Sequence, residues 1–512
     1  MEGRLVEAER CYRHVLERWP RHFDALHMMG VLAIQQRRPV RAIELLSKAL
    51  KQNSQSPAVH RNLAVAQKLS GELVAAVKSY QRALAIQPYH ADTHLKVANT
   101  LIELGRPLEA LEHCEQAIAQ QPADAAVYLL QAMAHRTMQA PEKALASCDV
   151  AIAVRPDSPA AWDKRGAALQ DLARPAEALL SCERAIQLRE DFALAQSHAG
   201  LICLQMGQFE RGWRLSERRD RSSAAVRADD LNIPRWTGEQ PLAGSRLWVT
   251  AEQGLGDTLQ FCRYADLLNA RGAQVTLAVQ PAVRAIVSSL GPHIRVVPDT
   301  DSPLDVDLHS PLLSLPHAFN TVPETIPTAI PYLYAQPDRV SHWRQLLGCS
   351  DFKIGVSWQS STAAAAVGKS FPLAELHALS NTNGVRLISL QKGHGTGQLD
   401  SLPPGMRIET LGEGFDSGMD AFLDTAAVMQ IMDLIVTCDT SVAHLAGALG
   451  RPTWIALKYS PDWRWMLDRS DSPWYPSVRL FRQKRSGDWQ SVFEAMFEEI
   501  SRVIAELGLG KY

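Results

Sequence analysis

Two short stretches of this 512-residue chain combine residue types that handle phosphate and protons. The first is Ala251-Glu252-Gln253-Gly254-Leu255-Gly256-Asp257-Thr258. Its glycines permit a tight turn and close approach of a ligand to backbone. Asp257 falls where a helix would start, so its carboxylate either caps that helix or takes a proton from a substrate hydroxyl. The second stretch is Asp439-Thr440-Ser441-Val442-Ala443-His444, continuing to Pro452. The apolar run LIVTC ends just before Asp439, and Thr440 and Ser441 open the next helix. Free amides at a helix start, with two hydroxyls beside them, make a site for a diphosphate. His444 lies one turn further on and can face the same side; capping hydroxyls and a buried histidine are the plainer alternative. Three more pieces belong to this half: Trp358 and Gln359 at one strand end, Gln391 and Lys392 at another, and the basic loop Gly368-Lys369-Ser370. A lysine there either neutralises phosphate or is a solvated loop residue. The run Pro461-Asp462-Trp463-Arg464-Trp465, with Trp474 and Tyr475, either stacks a base or sugar or packs a lid onto the core.

The elements that must position these residues alternate. RLWVTAE, QVTLAVQ, IRVVPD and DVDLHS read as strands with helical stretches between them. A proline-rich hinge, residues 323–337, follows. KIGVSWQ, RLISLQKG, MRIETLG, LIVTCD and PTWIALK then form a second series. Strands alternating with helices predict parallel sheets, and ligands in such folds lie at the carboxyl ends of the strands, where the residues above fall. Residues 492–507 read as a closing amphipathic helix, of the kind that crosses back to the first of two such domains.

The first half is repetitive. Pro20, Pro88, Pro122 and Pro156 are separated by 34 residues or a multiple of it. Small residues keep the same phase in the columns Gly30, Ala64, Ala98, Ala132, Gly166, Gly200 and Ala42, Ala76, Ala110, Ala144, Ala178, Gly212. Gly3, Gly71, Gly105 and Gly207 mark a turn column. Small residues at fixed phase let paired helices approach closely, with Gly ending the first and Pro following the second. Residues 1–219 therefore closely resemble the tetratricopeptide repeat (TPR): an α-solenoid whose concave face is expected to bind a protein. The first-helix column Met28, Asn62, Lys96, Leu130, Lys164, His198 is mixed, so a uniform grip on a peptide backbone is not expected. Cys114, Cys148 and Cys182, also 34 apart, are expected to be core positions and not a metal ladder. The chain opens inside a hairpin, as a truncated or misplaced start would. Residues 220–246 read as a linker.

Taken together, the Gly256-Asp257 turn and the Asp439-Thr440-x-x-x-His444-x-x-x-Ala448-Leu449-x-x-Pro452 block resemble the ADP-heptose:lipopolysaccharide heptosyltransferase family (glycosyltransferase family 9). Joined to the repeats, they look like bacterial TPR glycosyltransferases, including those that modify flagellin. The resemblance implies an α/β GT-B-like pair of Rossmann-like domains, 247–340 on the acceptor side and 341–512 on the donor side. It implies an inverting, metal-independent transfer from a nucleotide-sugar, the donor substrate, with no further cofactor. Asp257 would be the base. Gly256, Trp358, Lys369, Ser370, Gln391, Lys392, Asp439, Thr440, Ser441 and His444 would hold the donor. The protein acceptor would be recruited by the concave face; a glycan or lipopolysaccharide-type acceptor, or a scaffold without chemistry, are the alternatives. The segment 360–366 is bland where relatives are polar and charged.

Composition agrees with this class. Lys+Arg total 53 and Asp+Glu 55, a balance that argues against a nucleic-acid partner. No apolar run approaches the ~20 residues of a membrane span. Eight cysteines without a CxxC pair form no disulfide framework, and a reducing, cytoplasmic setting is expected.

Overall fold

The computed structural model describes residues 2–219, 233–361, 367–418 and 421–506. The first part of the expected linker, 220–232, and residues 362–366 of the bland segment lie outside the described residues. The chain divides into two compact units, Met1–Leu169 and Gln170–Tyr512.

The first unit is a run of paired helices. Each first helix is capped at a position that recurs every 34 residues. His22, Ser56, His90, Asp124 and Ser158 accept from the amides of Ala25, Val59, Thr93, Ala126 and Ala161. One capping role is thus filled by three kinds of side chain. A second polar column lies on the same helices. His60, His94, Tyr128 and Trp162 each donate to the carbonyl six residues earlier, on Ser54, Pro88, Pro122 and Pro156, at 2.9, 3.2, 3.0 and 2.9 Å. Those carbonyls belong to the turn between repeats and accept no helical amide, so each bond ties the first helix to the turn before it. Second helices open with proline at the first position in Pro39–Gln52, Pro107–Gln120 and Pro141–Val154, where the missing amide costs nothing. The small-residue columns seat neighbours: a Cβ on Gly30 would stand 2.6 Å from Leu46 Cγ. Cys114 and Cys148 are buried core residues.

The second unit begins with the last helices of the array, Pro175–Leu188, Ala193–Gln205 and Phe209–Ser216. Gln196 continues the polar column, donating to Glu190 O at 2.6 Å. Two parallel sheets follow. The first contains β1 (Arg246–Thr250), β2 (Gln274–Val279), β3 (Arg295–Pro298) and β4 (Leu308–Pro311), in the order β3-β2-β1-β4. The second contains β5 (Phe352–Ser357), β6 (Val385–Ser389), β7 (Leu434–Cys438), β8 (Thr453–Leu457) and β9 (Val478–Arg482), in the order β6-β5-β7-β8-β9. Val249 is in register with Leu277 and Ser310, and Val356 with Ser389 and Val436. Strands β5, β7 and β8 are buried along their whole length, as parallel strands covered on both faces are.

Three local readings change. MRIETLG supplies only an isolated bridge, Glu409 to Ile388, because Pro403-Pro404-Gly405 and Gly412 break the run on either side. The expected helix after β1 is two, Leu255–Phe261 and Tyr264–Ala270. The closing helix, Trp489–Glu506, packs on the second sheet's own core, with Phe493 4.7 Å from Phe371 between ring centroids.

The last repeat is built into the sheets' core. Trp213 meets Trp463 edge-on at 5.2 Å and its indole donates to Thr321 O at 2.8 Å. Phe209 stacks on Trp474 at 6.4 Å, and Gln205 donates to Pro461 O at 2.7 Å. Each such ring pair adds about 0.5–1.5 kcal/mol beyond its area. The proline-rich stretch ties both sheets: Tyr332 N donates to Ala448 O at 3.0 Å and Tyr332 OH to Leu259 O at 2.8 Å.

The helix-joining turns all need a left-handed residue. Arg37, Gly71, Gly105, Gln139, Ala173 and Gly207, each 34 from the next, have φ of 55, 80, 72, 55, 53 and 79°. A side chain there is strained by about 1–2 kcal/mol, which glycine relieves less its own ~0.5–1 kcal/mol of entropy. A Cβ on Gly105 would meet nothing within 4 Å, so conformation alone sets its effect. Gln139→Gly should therefore raise the denaturation midpoint of the chain, and Gly105→Ala should lower it. Equal midpoints for both variants and the parent would show that these turns relax without cost.

Candidate functional site

In both sheets the strand order reverses beside the first strand, between β1 and β4 and between β5 and β7. A crevice opens at such a reversal, at the carboxyl ends of the strands. The helix Leu255–Phe261 follows β1, and the eight-residue helix Ser441–Ala448 follows β7. These two helices pack on each other. A Cβ on Gly256 would stand 2.8 Å from His444 Cδ2 and 3.5 Å from Ser441 Cα. Only glycine lets the turn rest against that ring. The two sequence motifs therefore meet, and they close the crevice at this point.

Around the contact runs a chain of alternating charge. Arg464 Nη2 donates to Asp257 Oδ1, Nη1 to Asp462 Oδ1 at 2.9 Å, and Nε to Gln260 Oε1 at 2.5 Å. Lys369 Nζ lies 2.7 Å from Asp439 Oδ2 and 3.7 Å from Asp462 Oδ2. Asp257 also accepts from Gly254 N at 2.9 Å, tying down the start of its own helix. Three carboxylates thus face two cations, and the Arg464 side chain is only 9% exposed. Its guanidinium lies over Trp463, 4.4 Å from the ring centroid.

Burial and charge set the protonation states. Burial raises the Asp257 carboxyl above its ordinary pKa, although Arg464 opposes this. Burial would raise Asp462 and depress Lys369; the paired charges outweigh it in both cases, so Asp462 is lowered and Lys369 raised. His444 is buried, stacks on Trp465 at 5.5 Å and shares a 2.9 Å hydrogen bond between Nδ1 and Tyr475 OH. Burial, then Arg464, pulls it down to about 3.

The structure thus brings together Gly256, Asp257, Lys369, Asp439, Ser441 and His444, with Thr440 as the N-cap whose Oγ1 accepts from Val442 N at 3.2 Å. Four expected residues turn elsewhere. Trp358 is fully buried in the second sheet's core and donates to Gly395 O at 3.1 Å, so its ring faces no ligand. Lys392 Nζ is taken up by the carbonyls of Phe415 and Asp416, in a loop whose approach no local pattern announces. Gln391 Oε1 accepts from Ser357 Oγ at 3.0 Å and from Trp358 N and Gln359 N, and Ser370 Oγ from Ser360 N at 3.0 Å; both brace the strand end. The aromatic run packs: Trp463, Trp465, Trp474 and Tyr475 are all buried.

Sequence reading missed Arg464 and Asp462 as charges, because the tryptophans around them drew the eye, and missed Gln260 altogether. The one available signal was the Asp-Trp-Arg-Trp alternation, which places two charges inside an aromatic cluster. It also missed a second ionic group at the β1–β4 reversal. Arg219 there donates to Glu252 Oε2 at 2.6 Å and to Ser314 Oγ at 2.8 Å, and Arg235 to the same Ser314 Oγ at 2.7 Å.

Comparison with known proteins fits the first half. Residues 2–57, 27–91 and 67–134 match tetratricopeptide repeat family models. The N-terminal region is a tetratricopeptide-repeat solenoid. Protein FlbA of Caulobacter vibrioides is 28% identical over 323 residues, which is 58% of this chain and 53% of that protein. The chain thus spans about half the length of the curated relative it matches. Among solved structures, a tetratricopeptide repeat protein from Parabacteroides merdae is 18% identical over 42% of this chain and 85% of its own, with a TM-score of 0.39. TTC0263 of Thermus thermophilus is 21% identical over 36% of this chain and 99% of its own, with a TM-score of 0.31. No helix among the described residues is long and apolar enough to cross a membrane.

The neutral His444 makes stability depend on pH. In the unfolded chain the ring titrates near ~6.5, so the unfolded state takes the proton first. This contribution is complete above pH ~6.5 and declines by about 1.4 kcal/mol per pH unit as pH falls toward the folded value. His444→Asn should lose that part of the slope of stability against pH between about 6.5 and 4.5, measured by denaturant melts of both proteins. An unaltered slope would mean that the folded ring is already charged.

Proposed function

We propose that this chain is a glycosyltransferase that moves a sugar from a nucleotide-sugar to a protein acceptor held by the solenoid. The observation that carries the reading is the meeting of Gly256-Asp257 with Asp439–His444 around one buried line of charge. Two parallel sheets with their strand ends converging on that line suit a GT-B arrangement, with the donor over the second sheet. In this reading the diphosphate lies at the start of the Ser441–Ala448 helix, beside Thr440 and Ser441. Lys369, held by Asp439, stabilises the charge that develops on the leaving diphosphate, so the transfer is metal-independent. Asp257 takes the proton of the acceptor hydroxyl while that oxygen attacks the anomeric carbon from the face opposite the leaving group, which inverts the configuration.

The solenoid supplies the acceptor. Its capped, paired helices form an extended surface of the kind that binds protein, and tethering raises the acceptor's local concentration at the sheets. Flagellin is the acceptor class that the family resemblance brings with it. One observation favours a second reading, a scaffold without chemistry: the candidate base is itself ion-paired.

Two measurements decide between them. Asp257→Asn should cut transfer by about 10²–10⁴-fold without weakening donor binding, the usual weight of a general base. Asp439→Ala should weaken nucleotide-sugar binding in calorimetry, because Lys369 loses its anchor. Transfer that survives in Asp257→Asn within a few-fold would remove the residue from the mechanism. A parent protein that binds no member of a nucleotide-sugar panel would leave the scaffold reading standing.

A further inference from the structure

The buried charges at the site, three carboxylates on two cations, are paired in a way that a nucleoside diphosphate would have to disturb. Arg464 and Lys369 are each already matched, the first by Asp257 and Asp462, the second by Asp439 and Asp462. An incoming diphosphate brings at least two more negative charges into this largely buried space. It is admitted only if a cation leaves a carboxylate for it, since buried unpaired charge is prohibitive.

The geometry distinguishes which pair can part. Lys369, Asp439 and Asp462 all belong to the second sheet and its loops. Arg464 and Asp462 are two residues apart on one turn, and Asp462 also accepts from Arg464 N at 3.2 Å, which fixes them together. The bond from Arg464 to Asp257 is different, because it crosses from the second sheet's loop to the helix after β1. Asp257 keeps another partner, Gly254 N, when it breaks. Both Asp257 oxygens carry a donor, Oδ1 from Arg464 and Oδ2 from Gly254. A carboxylate so engaged is a poor acceptor for a substrate proton.

We propose that Arg464 is a further catalytic residue, which neutralises Asp257 until the donor binds and then turns its Nη2 to the diphosphate, releasing Asp257 as the base. This rests on the glycosyltransferase reading above. Gln260 and Asp462 hold Nε and Nη1 through the exchange, so only the Nη2 contact need change. The step is then balanced. The acceptor O–H proton passes to Asp257, the acceptor oxygen bonds to the anomeric carbon, and the bond from that carbon to the phosphate oxygen breaks. Its electron pair leaves on the diphosphate, whose added charge Arg464 and Lys369 share. The base is competent only after the donor is seated, which sets an order of binding.

The test is calorimetry on the full chain with ADP, GDP and UDP, beside the matching nucleosides as controls. Removing the competing carboxylate should help the phosphates. Asp257→Asn is expected to tighten binding of the favoured nucleoside diphosphate by about tenfold, within the usual range of coupling between sites. The nucleoside should be unaffected. In an Arg464→Gln background the same substitution should bring no gain, and Arg464→Met, which keeps the stem without the charge, serves if the glutamine variant does not fold. A purely structural Arg464–Asp257 pair would make Asp257→Asn neutral or weakening, and that result overturns the proposal. So would a gain of equal size without Arg464. If the parent binds none of the three diphosphates, the glycosyltransferase reading itself has failed, which is a separate outcome from a parent that binds but shows no gain.

Discussion

A guanidinium cannot be buried alone, and this requirement organises the sheet-bearing unit. Arg464 is enclosed between two sheets and beneath a tryptophan, far from the water that would otherwise solvate it. Its partners must come to it from both sides. Asp462 arrives on the same turn, while Asp257 and Gln260 arrive on the helix that follows β1. That helix can reach only if Gly256 lies flat against His444. His444 in turn is fixed by Tyr475 and Trp465, which belong to the aromatic cluster that seats Arg464. Removing one member of such a network leaves an unmatched charge, at a cost of about 3–5 kcal/mol.

In the solenoid the constraint is geometric. A repeat needs a cap for its first helix, a partner for the carbonyl in the preceding turn, a small residue between its helices, and a left-handed residue between the two. The chain fills these roles with whatever fits. Histidine, tyrosine, tryptophan and glutamine all satisfy one carbonyl position because each carries an N–H or O–H at a suitable reach. The same tolerance explains why glycine is found in only some of the turns that require it.

That tolerance also explains what could be read in advance. Proline, alanine and glycine act through shape, and their columns in the sequence announced the repeat and its 34-residue phase. The polar column is invisible to a search by residue type, since its members share only a reach. Strand runs such as LIVTC and TWIAL were legible because burial on both faces leaves no charged interruption. MRIETLG alternates, but the prolines and glycines at its ends leave it a single bridge to β6. At the site, Asp257 and Asp439–His444 stood out because they sit at strand–helix junctions, a local property. Trp358 and Lys392 sit at junctions too, yet Gly395, Phe415 and Asp416 claim them from distant loops. Arg464 was overlooked for the converse reason: its importance lies in what comes to meet it from more than two hundred residues away.

The last hairpin of the array shares its core with the sheets, through Phe209, Trp213 and Gln205. It therefore acts as an adaptor with one repeat-like face and one fixed face. In a gene of this design, copying or deleting 34-residue blocks is tolerable only upstream of it, where one repeat is much like the next. A duplication that split the hairpin from Trp463 and Trp474 would unseal the sheets' core. The array is free to change length at its outer end while its inner end stays in place, so repeats can be gained or lost without disturbing the core beneath the sheets.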